Sequence, residues 1–238
     1  MKQLPFDTEE YSDESPAVGL VVLKSDETME HELRHWLPDS VRLYHTRIPN
    51  DVEISQDSLH RMKAALPAAT ALLPETTDFK VIVYGCTSGT TVIGEQAVAE
   101  AIQSVFPNVQ VSNPLTAVKA RLHSLGAKRI ALLTPYVPDV SAALITELES
   151  SGIEVVQGAT FNESRDDQVA RISHSSIATA CAALAETKGI DAIFASCTNL
   201  RTYDLLQEPH HTPIISSNSS LAWHIQHLLR RSLRVGPS

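Results

Sequence analysis

A chain of 238 residues carrying 19 basic and 28 acidic side chains, a net charge of −9, is long enough to bury a substantial core. It would meet a phosphate backbone with net repulsion, and no Lys/Arg cluster relieves this, so nucleic acid is excluded as a partner. The apolar runs are strand-sized, far below the roughly 20 residues of a membrane helix, and the acidic opening Met1-Lys-Gln-Leu-Pro-Phe-Asp-Thr-Glu-Glu is no secretory signal; a cytoplasmic protein with no membrane partner is expected.

Residues 1–16 form an acidic, aperiodic N-terminal arm. A first α/β lobe, residues 17–115, starts with an apolar strand at 18–23 and a helix at 29–36 that stops before Pro38. A strand at 41–45 and a helix within 55–73, broken at Pro67, lead to the buried-looking strand of Val81-Ile-Val-Tyr-Gly-Cys-Thr-Ser-Gly-Thr90. A helix is then predicted at 91–106 and a short strand at 109–111. The second lobe, residues 116–215, begins with a helix ending at Gly126, where the pattern restarts. Its elements are a strand at 129–134, a helix at 141–151, a strand at 153–156, a long helix at 167–187, the strand before Cys197, a helix at 200–206 and a strand at 213–215. Residues 216–238 hold a closing C-terminal helix. Strands alternating with helices argue for parallel sheets with helices on both faces, in two similar lobes with the site in the cleft between them.

Cys86 and Cys197 each follow an apolar run, in Gly85-Cys-Thr-Ser88 and Ser196-Cys-Thr-Asn199. Both are expected at the carboxyl end of a strand, where open α/β sheets place their ligand crevices and where the next helix can hold a thiol partly as thiolate. Cys181 lies in an Ala-rich helical stretch and reads as a core thiol. The three cysteines cannot pair completely and have no C-x-x-C spacing, and the ten histidines are scattered, so no metal site is expected. The turn after Cys86 lacks the lysine of a phosphate loop, and no G-x-S-x-G elbow occurs.

Two opposed cysteines suit cofactor-free chemistry beside a carboxylate. One sulfur takes a proton from one face while the other returns one to the opposite face, or one adds to an activated double bond. Thr87, Ser88 and Thr198 are candidates to hold the carboxylate, with N-caps or ST-turns as their ordinary alternative. Tyr136, in Pro135-Tyr-Val-Pro138, can aim a hydroxyl inward or simply pack. Asp26 can cap the helix after the first strand or face the ligand.

The turn at 85–90, Asn113-Pro-Leu-Thr-Ala-Val118, Arg129-Ile-Ala-Leu-Leu-Thr-Pro-Tyr136 and Ser196-Cys-Thr-Asn199, in this order, resemble the maleate isomerase and arylmalonate decarboxylase branch of the aspartate/glutamate racemase superfamily from about residue 17 onward. The resemblance implies a pair of four-stranded parallel lobes, no cofactor, a homo-oligomer of two or more copies, and a small-molecule carboxylate substrate. It implies Cys86 as nucleophile, Cys197 as the proton-handling partner and Tyr136 as a carboxylate-binding hydroxyl. The decarboxylases have glycine at the first cysteine position, so Cys86 argues against decarboxylation. Maleate isomerases typically carry Ser-Asn-Thr after the first strand and a further asparagine before the long helix; here Asp26 and Asp166 or Asp167 stand there. An aspartate facing a dianion costs binding, so the acidic residues point to a substrate with a cationic or N–H-bearing part, a pattern similar to the proteins of ectoine utilisation. A maleate cis-trans isomerase or decarboxylase, and a catalytically silent small-molecule binder, are the alternatives.

Overall fold

The computed structural model describes residues 1–9, 11 and 14–234. Residues 10, 12 and 13 of the expected arm and 235–238 of the expected closing helix lie outside the described residues.

The first lobe contains β1 (Ala17–Leu23), α1 (Met29–Trp36), β2 (Arg42–Ile48), α2 (Gln56–Thr70), β3 (Phe79–Gly85), α3 (Thr87–Ile93), α4 (Glu95–Gln103) and β4 (Gln110–Ser112). The second contains β5 (Arg129–Thr134), α6 (Pro138–Ser150), β6 (Glu154–Thr160), α7 (Asp166–Val169), α8 (His174–Ala185), β7 (Ala192–Ala195) and β8 (Ile214–Ser216). The strands form two four-stranded sheets of orders β2-β1-β3-β4 and β6-β5-β7-β8, parallel throughout. The fold is therefore two α/β lobes of one topology, as the strand–helix alternation requires. In each sheet the order reverses beside its first strand, and the crevice opens there at the carboxyl ends. Cys86 follows β3 and Cys197 follows β7 by one residue, so both cysteines sit at equivalent reversal points.

Two helices cross between the lobes. After β4, α5 (Pro114–Leu125) carries Leu115, Val118 and Leu122 into a core shared with Ile130, Leu132 and Phe194 of the second sheet. After β8, α9 (Ser217–Arg234) returns Leu221, Ala222 and Ile225 to a core with Val18, Leu20 and Val83 of the first. A third apolar layer runs through both lobes, from Val21 and Tyr84 to Leu133 and Ala195, and includes both Cys86 and Cys197. Each sheet thus has both faces covered, which is why its inner strands read as nearly unbroken apolar runs.

Three predicted helices are rearranged. The 91–106 segment instead gives α3, starting directly after Cys86, and α4, separated at Gly94 with φ +92°. The Thr/Ser/Gly composition of α3 reads as a turn, yet its threonines satisfy the backbone by back-bonding: Thr90 Oγ1 donates to the Cys86 carbonyl (2.7 Å) and Thr91 Oγ1 to that of Thr87 (3.0 Å). The 167–187 segment splits into α7 and α8, and Ser173 caps the latter by accepting the Ser176 N–H (3.1 Å). At 200–206 there is only a 3-10 turn, Leu205–Gln207. Buried Glu32 of α1 takes the Thr202 and Tyr203 amides there (2.5 and 2.8 Å), so they are tied to the other lobe instead of starting a helix. Pro67 lies inside α2 without ending it.

Candidate active site

Cys86, Thr87, Ser88, Tyr136, Asp166, Cys197 and Thr198 line one cavity of about 20 Å³, with Asn50, Asp51, Glu53 and Met62 among the other walls. That is room for about one water. Two segments of its wall, the loop after β2 and the loop before α7, are joined by backbone bonds: the Ile54 N–H donates to the Ser164 carbonyl (2.7 Å) and the Asp166 N–H to that of Val52 (3.0 Å).

Cys86 is the N-cap of α3, and its Sγ accepts the Gly89 N–H (3.1 Å) with Ser88 Oγ at 3.6 Å. Gly89 is required there, because a Cβ would collide with the Tyr84 hydroxyl and come within 2.9 Å of Cys86 Sγ. The expected depression of the thiol pKa is not what this buried site produces. Burial pushes Cys86 up to about 11, outweighing the Ser88 and Gly89 hydrogen bonds, and the Asp166 charge adds to the rise. Cys197 is pushed well above its ordinary value, by burial first and by Asp166 next. The physical reason is dryness: a strand end opens on a helix start in any such sheet, but here the second lobe covers it.

Cys197 has φ +119°, a backbone conformation that side-chain-bearing residues rarely adopt. Its N–H donates to Ser217 Oγ (3.0 Å), its Sγ accepts the Asn199 N–H (3.4 Å), and Tyr136, fully buried, has its hydroxyl close enough to stabilise a thiolate on Cys197. Burial raises the Tyr136 phenol well above its usual range, so it serves as a neutral donor. Thr87 Oγ1 lies 2.8 Å from Ser217 Oγ, and Thr198 Oγ1 donates to the Gly85 carbonyl (3.3 Å). Both threonines therefore already have partners that bridge the lobes.

The two aspartates separate. Asp166 is on the cavity wall; its Oδ2 accepts from Ser25 Oγ, which in turn accepts from Asn50 Nδ2 (2.8 Å), and burial raises its pKa. Asp26 is not on that wall. Its Oδ1 accepts the Thr28 and Met29 amides (2.9 and 2.8 Å) at the start of α1. Thr198 is near enough to help stabilise its charge, but that hydroxyl donates to Gly85, and Asp26 Oδ2 is left buried without a hydrogen-bond partner. Burial raises Asp26 to about 6, against the pull of the Met29 and Thr28 amides. Cys181 is buried in α8 and plays no part in the cavity.

The sequence model of the family described as arylmalonate decarboxylase matches residues 94–236, which is more than half of the chain and includes Tyr136, Cys197 and Ser217. The chain belongs to the arylmalonate decarboxylase family. It is 24% identical over 224 residues to the maleate isomerase of Nocardia farcinica, covering 87% of this chain and 88% of that protein. It is 26% identical over 126 residues to the arylmalonate decarboxylase of Bordetella bronchiseptica, covering 51% and 52%. The crystal structure of a cysteine-to-alanine variant of maleate isomerase from Pseudomonas putida S16 with maleate superposes with TM-score 0.82, 21% identity and 90% and 92% coverage. A cysteine-to-serine variant of the Nocardia farcinica maleate cis-trans isomerase, with a covalently bound succinylcysteine intermediate, gives 0.81, 23%, and 90% and 93%. These likenesses carry the fold, in agreement with the two parallel sheets.

Within this family fold the sequence reading missed Ser217 and the wall residues Asn50, Asp51 and Glu53. Ser217 had a legible signal: Ser217-Asn218-Ser219-Ser220 follows β8 as Asn113 follows β4, a polar run at a strand–helix junction. The loop at 50–53 gave none, because its role depends on the other lobe's Ser164 and Asp166. Among the described residues, no group of three or more His, Cys, Asp or Glu side chains is placed to hold a metal ion, and no helix is long and apolar enough to cross a membrane.

Proposed function

We propose that the protein is a cofactor-independent isomerase or racemase acting on a small carboxylate in the cytoplasm as a homo-oligomer, with Cys86 and Cys197 as its paired reacting groups. The observation that carries this reading is that two sulfurs from equivalent strand ends of two lobes line one small cavity with the Tyr136 phenol. In the racemase form, the Cys86 thiolate takes the proton from the carbon next to the carboxylate and becomes a thiol. The C–H electron pair moves into the carboxylate as an enediolate, and Cys197 gives its S–H proton to the opposite face, leaving a thiolate. Tyr136, with Thr87, Ser88 and Thr198, holds the carboxylate and the charge that develops on it. A dry site suits this chemistry: thiols of raised pKa are basic once ionised, and the proton is transferred rather than lost to water.

The walls contain Asp51, Glu53 and Asp166 and no Lys, Arg or His; Asp51 is exposed and paired with Arg61, so the effective charge is that of the buried Asp166. A dianion entering this cavity meets like charge. A substrate whose other end is cationic or carries N–H groups, such as an amino-acid derivative or the amidinium ring of an ectoine-type compound, meets complementary charge instead. Asp166 is the residue assigned to that end, and Asp26 acts on it from behind the wall.

The second reading, a maleate-type cis-trans isomerase, is favoured by the length over which the chain matches the maleate isomerase of Nocardia farcinica. There Cys86 sulfur would bond to one olefinic carbon while the Cys197 proton goes to the other; rotation about the resulting single bond and reversal of both steps release the other isomer. Proton NMR in deuterated water with maleate, aspartate, glutamate, a hydantoin and ectoine separates the two. Deuterium at the carbon next to the carboxylate, lost in both Cys86→Ser and Cys197→Ser, is the expected result. Conversion of maleate to fumarate selects the second reading. No exchange or conversion with any of these compounds, alongside sluggish cysteine alkylation, returns the protein to the class of silent binders.

A further inference from the structure

The mechanism so far leaves unused one titratable group that touches its machinery. Tyr84, on β3 two residues before Cys86, is fully buried, and its hydroxyl reaches no oxygen acceptor: it donates to Met62 Sδ at 3.7 Å. Cys86 is also its neighbour. The hydroxyl and Cys86 Sγ both border the space above Gly89, where a Cβ would collide with the one and come within 2.9 Å of the other. A phenol proton resting on a thioether makes a weak hydrogen bond, whereas the same proton on a thiolate makes a charge-assisted one.

We propose that Tyr84 is a positioning residue for Cys86: its O–H turns from Met62 Sδ to Cys86 Sγ when the thiol ionises, and holds the sulfur's charge and direction while it reacts. Cys86 needs such a donor. Its thiolate otherwise has the Gly89 N–H at 3.1 Å and the more distant Ser88 hydroxyl at 3.6 Å, in a pocket that burial makes hostile to charge. The proximity of the two groups acts in both directions: the phenol stabilises the Cys86 thiolate, and the sulfur, with burial as the larger cause, raises the Tyr84 phenol well above its usual range, keeping its proton in place. Each sulfur of the site then has its own buried phenol, Tyr84 for Cys86 and Tyr136 for Cys197.

This assignment rests on Cys86 being a reacting sulfur, but its test does not need turnover. In a Cys181→Ser, Cys197→Ser background only Cys86 is free to react with iodoacetamide, and the pH dependence of its alkylation reports its ionisation. Tyr84→Phe keeps the ring and removes the donor; the alkylation midpoint is expected to rise by about one pH unit, with alkylation roughly tenfold slower on the rising limb. Replacing Tyr84 by a ring-fluorinated tyrosine, a stronger donor of nearly the same shape, is expected to lower the midpoint, which covers the case in which Tyr84→Phe folds poorly. A midpoint that stays in place in both variants overturns the proposal, since a packing role alone would not move it. If the midpoints shift while the NMR panel shows no reaction, the Tyr84–Cys86 coupling stands and the proposed function fails.

Discussion

Ser217 Oγ accepts the Cys197 N–H at 3.0 Å and stands 2.8 Å from Thr87 Oγ1, so one hydroxyl at the start of α9 joins the turn after β7 to the turn after β3. The second lobe's closing helix thereby fixes the distance between the two cysteine-bearing turns. Ser217→Ala leaves the Cys197 amide buried and unpaired, a loss of about 1–3 kcal/mol of stability. Urea denaturation is expected to show a lower midpoint at unchanged slope, and the variant is expected to lose turnover beyond what its folded fraction explains. Full activity in the folded fraction would deny Ser217 its positioning role.

The φ of +119° at Cys197 predicts an inverted ranking of two substitutions. At most positions alanine is the more stable replacement, because glycine gains more freedom in the unfolded chain. Here the Cβ itself is strained, at a cost on the order of 1–3 kcal/mol. Cys197→Gly is therefore expected to be more stable than Cys197→Ala by about 1 kcal/mol. Thermal or chemical denaturation of the pair decides it, and both should be inactive.

Asp26 makes stability depend on pH with a definite sign. Its folded pKa of about 6 lies above the ordinary 3.8, so the folded state binds this proton more tightly than the unfolded one. The favourable contribution is complete below about pH 4 and is lost as the pH rises through about 6. Asp26→Asn keeps an oxygen for the Thr28 and Met29 amides and removes the charge. Its stability relative to the parent is expected to rise between about pH 4 and pH 6 by on the order of 2–3 kcal/mol and then level off. Parallel curves for the two proteins across that window would show that Asp26 does not titrate there.

Asp166 tests the charge logic of the cavity. Asp166→Asn removes one of the acidic wall groups while an amide can still meet Ser25. Binding of a dicarboxylate such as maleate is expected to tighten roughly tenfold or more, and that of a cationic carboxylate to weaken by a similar factor. Equal effects on both ligands, measured by calorimetry, would mean that the aspartate shapes the wall without selecting charge.

Much of this arrangement is legible in the sequence. The apolar runs before Cys86 and Cys197, each ending in a small residue, a cysteine and a threonine, mark both as strand-end residues, and the strand–helix alternation fixes parallel sheets. The helices at 91–106, 167–187 and 200–206 were not legible, for three different reasons. Threonine back-bonding makes a helix of α3 that composition disfavours, Ser173 restarts a helix inside an Ala-rich stretch, and Glu32 takes from another lobe the amides of 202 and 203. Only the last is a contact distant in sequence, and no local pattern could carry it.

The sequence by itself determined the two-lobed parallel fold, the family and the strand-end placement of Cys86 and Cys197, because periodicity and strand-end motifs are local. The tertiary structure alone decided the electrostatic state of the site. Whether a strand-end thiol is exposed and acidic or buried and basic depends on what covers it: around Cys86, Tyr84 and Gly89 come from its own lobe, Tyr136 and Asp166 share its cavity from the other, and Ser217 joins the two turns. Desolvation is a property of the whole enclosure, so it is set only when residues far apart in the chain have closed around the sulfur.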